Sequence, residues 1–127
     1  MRLVPLAVAT TLLLGASAHA AECIRANKDG EIAEGRVSAG RFQDAAGRPE
    51  QAYILTLPVA TCLRGDGEED NLDKVRRIHI YSTNAKVHAT IRRFVGKTVL
   101  VRGNAFAQHT AHHHAPIVMN ITEIDQH

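Results

Sequence analysis

The chain has 127 residues, 45% of them hydrophobic, with 15 basic against 13 acidic side chains and a formal net charge of +2 when histidine is neutral. That length suits one small domain with a single core. Near-neutrality argues against a nucleic-acid-coating protein or a polybasic membrane binder, both of which need a concentrated positive field.

The N-terminus reads as an export signal. Arg2 supplies a positive start, Leu3 to Leu14 is a short apolar stretch, and Ala18-His19-Ala20 is a small-x-small cleavage pattern. The stretch is too short for a comfortable permanent membrane anchor. Cys23 follows closely, but Ala20-Ala21-Glu22 lacks the leucine and the small residue of a lipobox. The expected organisation is a signal peptide at 1–20, cut after Ala20, and one domain at 21–127, periplasmic or secreted. Cys23 and Cys62 are the two cysteines. In an oxidising compartment they most simply form one disulfide. It would close a loop of about 40 residues, worth roughly 4 kcal/mol in the chain-entropy model. A redox or metal-binding thiol pair would want a C-x-x-C spacing, which is absent.

After an irregular lead-in from Ala21 to Gly30, Glu31 to Phe42 alternates loosely and carries Gly35 and Gly40, the signature of a bent or bulged strand. Gln43 to Glu50 has turn chemistry. Ala52 to Leu57 is a strand with Tyr53, Leu55 and Leu57 at period two, which Pro58 is expected to end or place at an edge. Arg64 to Asp73 is an acidic loop whose spacing does not match an EF-hand, so a solvated loop is expected. Val75 to Tyr81 is a third strand.

Ser82 to Asn84 offers N-cap side chains. Val87, Ile91 and Phe94 then recur at helical spacing, with Arg92 and Arg93 in the last turn and Gly96 placed as the C′ residue. This predicts a helix over 85–95. Lys97 to Gly103 and Ile117 to Thr122 are the fourth and fifth strands.

Three strands, a helix and two strands is the order of a mainly β, five-stranded Greek-key barrel of OB type, with the helix between strands three and four. Gly35-Arg36-Val37, the run to Cys62, the stretch Gly96 to Gly103 and Thr110 to Pro116 together resemble a family of small bacterial secreted domains of unknown function. Its members share an OB-like barrel and a T-[AG]-H-H-H-x-P ending. The resemblance implies the fold and the compartment and supplies no activity.

Function must then be read from side chains. Single-stranded nucleic-acid binding wants exposed aromatics among basic residues, whereas this chain has no Trp and its five Phe and Tyr residues are mostly needed in the core. No nucleophile elbow is present, and a paired Cys62 offers no free thiol. An enzyme is therefore not expected.

Four histidines fall within His109 to His114. In an extended segment His112 and His114 project to one face and His113 to the other. With His109 across a short turn, three imidazoles and an open position would suit zinc or copper. The same segment could instead be a hairpin rim whose rings bond turn carbonyls, or a loop that grips another protein. The reading is an exported, non-catalytic binding module of OB type with a candidate metal site at His109, His112 and His114. The alternative is a periplasmic inhibitor or immunity protein that binds a cell-envelope enzyme. Expected partners are a metal ion or an envelope protein.

Overall fold

Apolar residues at every second position build the strands. The computed structural model describes residues 22–127, so the segment read as a signal peptide lies outside the described residues. In chain order the elements are β1 (Ile24–Arg25), β2 (Glu31–Gln43), β3 (Pro49–Arg64), a 3-10 turn (Glu68–Asp70), β4 (Leu72–Tyr81), α1 (Ala85–Arg93), β5 (Thr98–Ala107) and β6 (Ile117–Gln126). β2 pairs antiparallel with β3 and β5, β3 with β4, and β5 with β6. β4 lies parallel to β6 and closes the circle. The result is the five-stranded OB-type barrel that the order of elements implied.

The interior is wholly apolar. Val37, Leu55, Ile78, Ile80, Val99, Val101, Met119 and Ile121 are fully buried, and no polar or charged residue is buried among the described residues. Asn84 starts the helix by accepting hydrogen bonds from the Lys86 and Val87 N–H groups, the N-cap role its sequence position suggested. The helix then lays Ile91 into the core, with Val87 and Phe94 packed beside it.

Several boundaries differ from the sequence reading. β3 runs straight through Pro58. Its register with β4 shifts between Thr56 and Thr61, so Pro58 stands where a ladder N–H is not needed. The helix ends at Arg93 with Phe94 as its cap, so Gly96, the expected C′ residue, adopts φ +86° one position beyond C′. There its N–H donates to the Val37 carbonyl and hands the chain on to β5. The first barrel strand bends without a bulge. Its residues 31–36 pair with β5 and 36–43 with β3, in unbroken register. Besides the shifts in the β3–β4 ladder, the register slips in the β5–β6 ladder at Gly103, where a Cβ would run into the Asn120 carbonyl.

The lead-in is also more regular than expected. β1 pairs in parallel with the end of β3, Ile24 opposite Leu63. The Cys23–Cys62 disulfide holds it there, with Cα atoms 4.6 Å apart and 39 positions between them in sequence. That loop length corresponds to about 4 kcal/mol of denatured-state entropy.

Candidate functional site

Residues 108–116 join β5 to β6, the last two barrel strands, and carry the histidines. Backbone bonds close the loop: the Gln108 N–H donates to the Pro116 carbonyl, and the His113 N–H to that of Thr110. The Thr110 hydroxyl accepts from the His112 N–H. His113 folds its ring back into the loop, where Nδ1 accepts from the backbone N–H groups of His109 and Thr110. That lone pair must stay unprotonated. Burial, with the charge of His109 next, holds the His113 ring below the usual histidine range.

The loop lies across the outer surface of the barrel. Ile54 of β3, His79 of β4 and Val118 of β6 stand side by side in register, on the face turned away from the core. Yet Ile54 is 5% exposed and Val118 is 0% exposed. The loop rings gather at this face. His114 stacks on His79 at 5.7 Å, and His113 meets His79 edge-on at 6.4 Å. Phe106, opposite Val118 on β5, packs against both His109 and His113 at 5.4 Å. The His114 N–H donates to His79 Nδ1. Burial, then the charges of His114 and His113, push the His79 ring down to about 4.

A carboxylate grips the far edge of the loop. The β2–β3 hairpin turn is tied by Asp44, whose side chain accepts from the Ala46 and Arg48 N–H groups. The turn places Glu50 on β3 opposite Phe42 on β2. Glu50 Oε1 lies 2.5 Å from His112 Nδ1, and Oε2 lies 2.7 Å from His114 Nε2. For these to be hydrogen bonds, the facing nitrogen of each ring carries the proton. The same bonds, that of His114 first, hold the Glu50 carboxyl below the usual carboxylate range. His114 also stacks on Phe42 at 4.4 Å with the rings 11° apart. The side chain of His114 is 8% exposed, against 65% for His112.

Of the expected metal ligands, the structure brings His112 and His114 together on one carboxylate. His109 turns away from them and packs on His113 at 4.7 Å. Among the described residues, no three His, Cys, Asp or Glu side chains stand as they are in a metal-holding arrangement. Sequence reasoning missed Glu50, which lies 62 and 64 positions from its two partners. The signal was there in topology: in an OB barrel the loop after the first strand and the loop before the last flank one binding face.

Residues 77–125, from β4 into β6, match the family model described as Domain of unknown function (DUF4431). No curated protein and no solved structure matches the chain. The match supports the resemblance at its coarser level, similarity to a family whose function is unknown.

Proposed function

We propose that the chain is an exported, non-catalytic binding module of OB type. Its ligand surface is the outer face of β3 and β4 together with the histidine loop. The observation that carries this reading is the ring-lined surface of Phe42, His114, His79 and Phe106. It sits where OB barrels take ligands, flanked by the loops at 44–48 and 108–116. Export is supported by the leader pattern and by a disulfide of the kind that persists in oxidising compartments. The lack of catalysis is supported by the ring nitrogens. Nδ1 of His79 and Nδ1 of His113 are both occupied by backbone N–H donors, so neither can take a substrate proton there.

Ligand class follows from charge and shape. A carboxylate on the face and a small net charge disfavour a polyanion, while a cluster of half-exposed aromatic rings suits the apolar sides of sugar rings. A neutral oligosaccharide is the class we favour. Titration calorimetry of the untagged chain with chitotetraose tests it. Saturable binding should weaken about tenfold in Phe42→Ala, the effect of losing one good aromatic contact. Val59→Ser, on a separate apolar groove, should change nothing. Binding that survives Phe42→Ala or disappears in Val59→Ser would contradict the placement of the site, and no saturable binding would remove the oligosaccharide class.

A further inference from the structure

We infer that Glu50, His112 and His114 form a site for one divalent transition-metal ion of zinc type, with the Glu50 carboxylate taking the third position that the sequence assigned to His109. The inference rests on the histidine loop being the binding surface and names what binds at its edge.

The donor set is right for such an ion. Two imidazoles and one carboxylate are borderline ligands that suit zinc, and three protein ligands leave the fourth tetrahedral position open. Each carboxylate oxygen already faces a different imidazole nitrogen, at 2.5 and 2.7 Å. An ion would take the place of the two protons held between these groups: each ring ligates as a neutral imidazole, so a neutral ring carries its proton on the other nitrogen and only an imidazolium releases one to solvent.

The support around the three ligands is that of a built site. The His114 ring is fixed between Phe42 and His79, and its backbone N–H is anchored on His79. The turn that carries His112 is tied by Thr110 and His113. Glu50 projects from a paired strand. Ligands on one tetrahedral zinc, each at about 2.0–2.1 Å, stand roughly 3.3 Å apart. The present contacts are shorter, so ligation requires Glu50 and His112 to move, opening each carboxylate–imidazole contact by at least roughly 0.6–0.8 Å. Both can do so: a Glu side chain is flexible, and the His112 ring is mostly in solvent.

Titration calorimetry of the untagged chain with zinc, together with imidazole nitrogen shifts of the wild type, tests this. The expected result is one zinc per chain, bound more tightly than about 10 μM. Binding should weaken by about tenfold or more in Glu50→Gln and in His112→Ala, and stay within about twofold in His109→Ala. In the wild type, where folding of a variant is not at issue, zinc should shift Nδ1 of His112 and Nε2 of His114. The inference is overturned if saturable binding is absent, if Glu50→Gln binds as the wild type does, or if His109 and His113 carry the shifts. Loss of zinc binding with chitotetraose binding intact removes this inference alone. Zinc binding without chitotetraose binding removes the oligosaccharide reading alone.

Discussion

The barrel interior and the outer face of β3 and β4 are both well packed, but with opposite chemistry. Inside, branched aliphatics meet from five strands and a helix, and among the described residues nothing polar is buried. Outside, the buried Ile54 and Val118 flank His79, on which the loop imidazoles pack, held by hydrogen bonds that depend on protonation. Burying apolar surface is non-directional and nearly indifferent to pH. Ring nitrogens and a carboxylate are directional, and their hydrogen bonds change with protonation. One region can therefore set stability while the other responds to what the solution contains.

The contrast is broken first in the core. Ile91→Ala should cost roughly 2–5 kcal/mol, because a fully buried side chain leaves a cavity at the helix–barrel contact. Urea unfolding measures it. A change within about 0.5 kcal/mol, typical of exposed sites, would mean that the helix does not seat this face in the barrel.

Acid sharpens the contrast from the other side. The folded His79 ring has its pKa lowered from 6.5 to about 4, burial being the main cause. Between these values the unfolded chain binds the proton and the folded chain does not. Its stabilising share is thus complete above pH 6.5 and declines as pH falls toward 4. With solvent screening of a partly exposed ring allowed for, the loss should be about 1–2 kcal/mol. The depressed His113 adds in the same direction. His79→Gln keeps an acceptor for the His114 N–H and should flatten the decline. An equally steep decline in that variant would show that the acid sensitivity comes from elsewhere.

The interior was legible because its signal is local. Alternation at Tyr53, Leu55 and Leu57, at Ile78 and Ile80, and at Ile117, Met119 and Ile121 gave the inward face of each strand. Helical spacing picked out Val87, Ile91 and Phe94. The Cys23–Cys62 pairing followed from counting. The outer face was not legible because its contacts are long-range. Strand alternation put His112 and His114 on one side, but their partner sits on a different hairpin, in what read as a turn. His79 looked like the polar side of a strand, and only the loop packed over it makes it part of the site. Pro58 and β1 escaped for a related reason. A register shift tolerates the first, and a disulfide pins the second.

Smaller changes separate the two faces of the loop. His114→Ala removes the ring stacked between Phe42 and His79 and should destabilise the loop by about 1 kcal/mol, read as faster amide exchange of residues 112–118 with little change at Val99 or Val101. Equally accelerated exchange in β5 or unaltered exchange in the loop would contradict that division. His109→Ala, on the exposed side, should stay within about 0.5 kcal/mol, which thermal unfolding can check.

Whether this outer face is the binding surface is read most directly from an amide chemical-shift map of the untagged chain during titration with chitotetraose. The largest changes should cluster at Phe42, Glu50, Ile54, His79, His114 and Val118. Changes centred on the groove lined by Ile24, Ile32, Leu57 and Val59, or scattered over the barrel, would contradict it.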